Sequence, residues 1–155
     1  MKKIGIYPGT FDPITLGHLD IIKRASQIVD TLYVSIALSK NKKTLFSTEE
    51  RVQIVKRSLG NSFKNVKIIS FNTLTIALCK KIKASLIFRG LRVVTDFEYE
   101  FQLAGMNNRL NKKLQTIFLM ADIENQLISS NMVKEIAELG GDVRKFAPKP
   151  AIVYL

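Results

Sequence analysis

Thr10 and His18 lie in a run, Tyr7-Pro-Gly-Thr-Phe-Asp-Pro-Ile-Thr-Leu-Gly-His18, whose residue types suit the binding of a phosphate. The run lies between a short apolar strand pattern, Ile4 to Tyr7, and an amphipathic helical pattern, Leu19 to Val29. A strand–loop–helix step of this kind presents free backbone amides, and α/β proteins hold phosphates there. Gly9 and Gly17 are expected to allow close backbone approach and unusual φ values. His18, the only histidine, falls at or near the first helical turn. There it can donate a hydrogen bond while the helix amides add positive potential. Asp12 is expected to brace the loop rather than to bind a metal.

Further along the chain stand Lys42, then Arg89 and Arg92, then Ser129 and Ser130. Two arginines three apart, following a buried strand, supply fork-shaped donors that fit phosphates. Ser129, Ser130 and Asn131 open a helix whose free N–H groups could hold more phosphate, although simple N-capping is an alternative for either serine. The combined set is cationic and donating. It contains no carboxylate dyad, no nucleophile–base pair and no cluster of metal ligands. Such a set fits phosphoryl-type transfer, in which positioning and charge stabilisation carry most of the catalysis. It fits hydrolysis less well, because no base for the water is evident.

Alternating elements must position these residues. The strand patterns are Ile4–Tyr7, Leu32–Ala37, Val66–Ser70, Leu86–Phe88 and Ile117–Met120. The helical patterns are Leu19–Val29, Ser47 to about Leu59, Leu74–Lys81, Thr95 to about Leu110, and Ser130–Leu139. Ser47-Thr-Glu-Glu50 and Thr95-Asp-Phe-Glu98 both read as capping boxes. The tail from Ala147 reads as a loop and a short terminal segment. This β–α alternation predicts an α/β fold: one Rossmann-like domain over residues 1–155, a five-stranded parallel sheet with helices on both faces. The loops Pro8–Gly17, Ser39–Phe46, Arg89–Arg92 and Ala121–Ser130 each follow a strand. They should therefore share one face of the sheet and build a single site.

Bulk properties bound the choices. A chain of 155 residues, 46% hydrophobic and 24% charged, suits one globular domain. The uncharged run from Ile68 to Cys79 is too short to cross a bilayer. No secretory h-region follows Lys2-Lys3, so a cytoplasmic protein is expected. One cysteine, Cys79, rules out an internal disulfide or a zinc cluster and suits a buried apolar position. The net charge of +11 invites a nucleic-acid reading. The basic residues are scattered over separate segments, however, so a solvated surface plus a site for anionic substrates is favoured, with neither nucleic acid nor membrane as partner.

Thr10-Phe-Asp-Pro13 followed by Thr15-Leu-Gly-His18 resembles the nucleotidyltransferase signature in its T-x-G-H form. Arg89-Gly-Leu-Arg92, Asp96-Phe-Glu-Tyr-Glu100, and Ile128-Ser-Ser130 with Val133-Lys-Glu135 are all similar to the phosphopantetheine adenylyltransferase family. The resemblance spans nearly the whole chain, with the motifs in order. It implies that ATP and 4′-phosphopantetheine, with Mg²⁺, give dephospho-coenzyme A and pyrophosphate, the penultimate step of coenzyme A synthesis. The nucleophile would be the substrate's own phosphate, largely dianionic near pH 7 and needing no general base.

The resemblance also implies roles. His18 would contact the α-phosphate and stabilise the transition state, with Thr10, Lys42 and Arg92 completing the catalytic set. ATP would be held by Thr10, Phe11, Gly17, His18, Gly90, Leu91, Arg92, Glu100, Ile128, Ser129, Ser130 and Asn131. The second substrate would meet Thr10, Lys42, Leu74, Thr75, Arg89, Leu103 and Asn107. No side chain is assigned as a metal ligand. A homohexamer and feedback inhibition by coenzyme A are implied as well. The chain departs from the usual pattern at Thr73, Thr75, Asn125 and Asn131. Two other readings stand beside this one. Related nucleotidyltransferases with other acceptors usually carry H-x-G-H, where this chain has Thr15. A basic, non-catalytic nucleotide-fold protein would bind polynucleotide with a steep salt dependence.

Overall fold

A computed structural model describes residues 2–38 and 43–155. Five strands form one parallel sheet: β1 (Ile4–Gly9), β2 (Thr31–Ala37), β3 (Val66–Phe71), β4 (Leu86–Leu91) and β5 (Gln115–Met120). Their spatial order is β3-β2-β1-β4-β5, so the chain changes direction across the sheet between β1 and β4. The registers Gly9↔Ile36 and Leu91↔Met120 bring the carboxyl ends of the strands to one edge. A cleft at that reversal is where open α/β sheets place ligands.

Alternation along the strands divides the core. Tyr7 and Phe88 face a large cluster with Ile21, Ile22, Ala25, Ile54, Val55 and Val133. These come from α1 (Leu16–Ser26), α2 (Thr48–Leu59) and α5 (Ser130–Glu138). Ala151 of the short terminal helix α6 (Lys149–Ile152) joins the same cluster. On the other face Ile6 and Ile87 meet Ile76 and Cys79 of α3 (Thr75–Ile82), with Leu114. The expected burial of Cys79 is borne out, and α4 (Val94–Leu110) packs along β4 and β5. Helices therefore cover both faces, as the alternation implied. No described helix is long and apolar enough to cross a membrane.

The structure corrects several boundaries. Strand β4 runs on through Arg89, Gly90 and Leu91, so these residues belong to the sheet rather than to a following loop. Helix α1 begins at Leu16 because Thr15 is its N-cap, and it ends at Ser26 rather than Val29. The box at Ser47 and Glu50 is present in both directions. The second expected box is not: Thr95 lies inside α4, whose N-cap is Val93 with no side-chain cap. The Asp96 carboxylate instead accepts from the backbone N–H of Arg92 at 3.2 Å.

Candidate active site

A cavity of about 760 Å³ opens at the carboxyl ends of the strands. The loop after β1 supplies Thr10, and the start of α1 supplies Gly17 and His18. Strand β4 and the turn after it add Arg89, Gly90 and Arg92, and the entry to α5 adds Ser129, Ser130 and Asn131. Residues from three separate stretches of sequence thus meet in one place, as the loop-clustering argument anticipated. Lys42 lies outside the described residues, while its neighbour Lys43 lines the cavity.

His18 is the third residue of α1 and replaces the usual Glu or Gln of a capping box. Thr15 Oγ1 accepts from the His18 backbone N–H at 3.3 Å. In return the Thr15 backbone N–H donates to His18 Nδ1 at 3.0 Å. A backbone N–H can only donate, so Nδ1 carries a lone pair and the ring proton sits on Nε2. Burial pulls the imidazole pKa down to about 4, helped by the charges of Arg92 and Arg89. His18 is therefore a neutral donor near pH 7. Its ring rests edge-on to Phe11, with centroids 5.0 Å apart.

Phe11 itself is 2% exposed with φ of +50°, an uncommon conformation for an aromatic residue. Its ring explains Gly9, since a Cβ there would stand 3.0 Å from two ring atoms. Gly17 has no such need. Its φ is not positive, and a Cβ would make only ordinary contacts, the nearest with Thr15 Oγ1 at 3.6 Å.

Each arginine is oriented by an acid. Arg89 Nε donates to Glu100 Oε2 at 2.7 Å, a second N–H donates to Glu100 Oε1, and a third reaches the Pro8 carbonyl at 2.8 Å. Burial disfavours the guanidinium charge, but the bonds to Glu100 outweigh this and hold the pKa above its ordinary value. Arg92 spans Asp96 at 3.1 and 3.2 Å and donates to the Ile128 carbonyl at 3.2 Å. Asp96 pairs with Arg92, and the partner of Arg89 is Glu100. Of the five N–H groups on each guanidinium, the described residues engage three and leave two per arginine.

The remaining expected residues divide. Ser129 is the N-cap of α5 and accepts from Met132 N–H at 3.1 Å, while Ser130 Oγ donates to the Pro13 carbonyl at 2.7 Å. Thr75, Leu103 and Asn107 line a narrow cleft with Arg89 and Glu100, next to the main cavity. Leu74, the N-cap of α3, is 74% exposed and lines neither space. Leu91 is buried in β4 and likewise lines neither, whereas Ile128 is buried but borders the cavity.

Sequence reading missed two charges. Lys134 borders the cavity, and its Nζ lies 2.9 Å from Asp12 Oδ2. The spacing Ser130–Lys134 is one helical turn and could have flagged it. Asp12 also accepts from the backbone N–H groups of Leu45 and Phe46 at 2.9 and 3.0 Å, so it braces the loop as expected. Its burial opposes ionisation, but these three donors prevail and lower its pKa. Arg51, 2% exposed, donates to the Thr10 carbonyl at 2.7 Å and the Ala37 carbonyl at 2.9 Å. Nothing in the local sequence of α2 marked it.

Comparison with known proteins shows the family. Residues 6–136 match the cytidylyltransferase-like family model. A phosphopantetheine adenylyltransferase of Pelagibacter ubique is 53% identical over 159 residues, covering 100% of this chain and 97% of that protein. One from Dinoroseobacter shibae is 51% identical over 148 residues, covering 93% and 86%. Among solved structures, a Plasmodium falciparum nicotinic acid mononucleotide adenylyltransferase complexed with NaAD superposes with a TM-score of 0.72. It covers 99% of this chain and 94% of that one at 20% identity, a likeness of fold. The donor-lined cavity at the sheet reversal and the full-length identity lead to one conclusion: the chain belongs to the phosphopantetheine adenylyltransferase family of nucleotidyltransferases.

Proposed function

We propose that this protein transfers the adenylyl group of ATP to 4′-phosphopantetheine by direct in-line attack of the acceptor phosphate on the α-phosphate. One P–O bond forms at the α-phosphorus as the bond to the β-phosphate bridging oxygen breaks. Dephospho-coenzyme A and pyrophosphate result, and a dianionic nucleophile needs no proton removed. The observation that carries the reading is the protonation of His18. Its Nδ1 is engaged by Thr15, so only the Nε2–H is offered to charge developing on the α-phosphate.

The other roles follow from position. Arg89, steadied by Glu100, holds the acceptor phosphate with the two N–H groups that no described residue engages, and Lys42 assists. Arg92, with the backbone at Gly90 and Leu91, holds the nucleotide phosphates. The Ser130 and Asn131 amides at the start of α5 take the β- and γ-phosphates. Thr10 touches both substrates, while Thr75, Leu103 and Asn107 line the pantetheine arm, with Leu74 contributing backbone. Glu100, expected to touch the nucleotide, acts instead on the acceptor side through Arg89, because both its oxygens are engaged there.

Mg²⁺ enters as the counterion of ATP. Asp96, Glu100 and Asp12 beside the cavity are each committed to a cation, and no group of three metal-binding side chains occurs among the described residues. A phosphate-bound ion that keeps its own waters fits this donor set. The homohexamer and coenzyme A feedback belong to the same proposal. The exposed apolar side chains Val94, Phe101, Met106 and Leu110 of α4 offer surface for assembly.

The test is pyrophosphate release from ATP and Mg²⁺, with and without 4′-phosphopantetheine. Release that requires the acceptor, with dephospho-coenzyme A as product, is expected. Release with nicotinamide mononucleotide or glycerol 3-phosphate instead would replace the acceptor assignment. No release with any acceptor would overturn the transferase reading.

A further inference from the structure

Tyr7 is a β1 residue that neither the motif nor the proposed roles above use. Its side chain is 6% exposed, and that remainder borders the cavity. The ring is fixed by edge contact with Phe11, centroids 5.5 Å apart at 80°, and stands 6.4 Å from the His18 ring. The hydroxyl lies 3.8 Å from the point a Cβ on Gly90 would occupy. Gly90 therefore borders the hydroxyl at ordinary contact distance. Among the described residues no hydrogen bond bears on this phenol, and its oxygen is not one of the fully enclosed unpaired atoms, so its partner comes from what fills the cavity.

A nearly buried phenol is seldom left without a partner. The groups around this one define what the partner must be. Arg89, Arg92 and the His18 Nε2–H are donors, and the Glu100 oxygens are already taken by Arg89. Burial also keeps the phenol protonated, by raising its pKa. The cations around the phenol are donors, and the carboxylates near it, Glu100 and Asp20, are paired with arginines. An anionic oxygen at that point would satisfy the phenol and both arginines together.

We propose that Tyr7 is a nucleotide-contacting residue whose hydroxyl donates to a phosphate oxygen of bound ATP beside Gly90 and Arg92. This inference rests on the adenylyl-transfer reading and adds a contact from the floor of the cavity. Tyr7→Phe is the direct variant, since it removes one oxygen and keeps the ring packing against Phe11. KM for ATP, KM for 4′-phosphopantetheine and kcat would be measured with wild type and variant. Binding of a non-hydrolysable ATP analogue and the melting temperature would be measured beside them. The expected result is a loss of roughly tenfold or more in analogue affinity and in kcat/KM for ATP, with unchanged KM for the acceptor and unchanged melting. Equal ATP parameters and analogue affinity in the two proteins would overturn the inference and leave the reading intact. A lower melting temperature with unchanged ATP binding would overturn it in favour of a purely structural hydroxyl. Failure of the wild type to bind the analogue or turn over would overturn the reading and this contact with it.

Discussion

The backbone N–H of Thr15 donates to Nδ1 of His18 at 3.0 Å, so the residue that starts the helix also sets the tautomer of the proposed catalytic ring. Because His18 is the only histidine, nitrogen NMR of the labelled protein reads it alone. The expected spectrum is a neutral ring with its proton on Nε2 and no titration until well below pH 6, given a pKa near 4. The acid limb of kcat would then reflect the acceptor phosphate, with its second pKa near 6, rather than the enzyme. A ring that titrates at its ordinary value would contradict the structure. Thr15→Val keeps the backbone N–H that sets the tautomer and should cost about 1 kcal/mol of stability through the lost cap. His18→Ala should lower kcat by roughly two orders of magnitude or more while the protein stays folded.

The same depressed pKa makes stability depend on pH. The native ring resists protonation, whereas the unfolded chain takes up a proton as pH falls through about 6.5. This contribution is therefore complete above that pH and is lost between 6.5 and 4. The slope reaches at most about 1.4 kcal/mol per pH unit. Denaturant unfolding at pH 7.5, 6 and 5 should show a decline in wild type that is reduced in His18→Gln.

The ion pair of Arg89 with Glu100 turns a flexible cation into a fixed fork. Glu100→Gln keeps the shape but removes the charge, leaving a largely buried guanidinium without its counterion. Removal of one buried partner is strongly destabilising, and partial exposure of Arg89 lowers the figure to about 2 kcal/mol. Under the roles proposed here, KM for 4′-phosphopantetheine should rise about tenfold, more than KM for ATP. Steady-state kinetics varying each substrate in turn distinguishes the two. An equal rise in both would show that Glu100 serves the cavity as a whole.

Strand order along the chain was readable because each strand is a short apolar or β-branched run with clear ends, as in Leu32–Ala37. The clustering of Thr10, His18, Arg89, Arg92 and Ser130 followed from sheet topology alone. Strand β4 was read short because Arg89 and Gly90 look like loop residues, yet sheet pairing with β5 carries them. The false box at Thr95 shows the opposite failure. Its spacing to Glu98 is right, but Asp96 bonds to Arg92 and the helix starts at Val94, before Thr95 can cap it. The braces were beyond reach for another reason. Asp12 meets Lys134 across 122 positions, and Arg51 meets Thr10 across 41. No local pattern encodes such pairs.

Asp12 links the loop after β1, the backbone at Leu45 and Phe46, and Lys134 of α5. Asp12→Asn weakens all three at once and leaves the ammonium of Lys134 without its partner. A loss of about 2–3 kcal/mol is expected, together with weaker binding of both substrates, since the brace joins the two sides of the cavity. Asp12→Asn/Lys134→Met removes the stranded charge and should recover part of the stability but not the loop order. Thermal melts and substrate titrations of the single and double variants check this. Recovery of binding in the double variant would show that the Asp12–Lys134 charge pair, rather than the amide contacts at Leu45 and Phe46, shapes the cavity.

Arg51 is a buried cation with no carboxylate in its hydrogen-bond shell. It donates to the Thr10 and Ala37 carbonyls and to Thr48 Oγ1 at 3.0 Å, while its Nε has no partner among the described residues. Burial accordingly lowers its pKa. A charge held this way is costly, yet it ties together the chain ends of β1 and β2, the two segments that flank the proposed acceptor site. Arg51→Lys tests geometry against charge. Lysine keeps the cation but lacks the planar fork that spans two carbonyls. It should melt several degrees lower, from roughly 2 kcal/mol of lost bonding, and kcat should fall because Thr10 loses its anchor. Melting and turnover equal to wild type would mean that a point charge suffices there and that the two carbonyls need no common clamp.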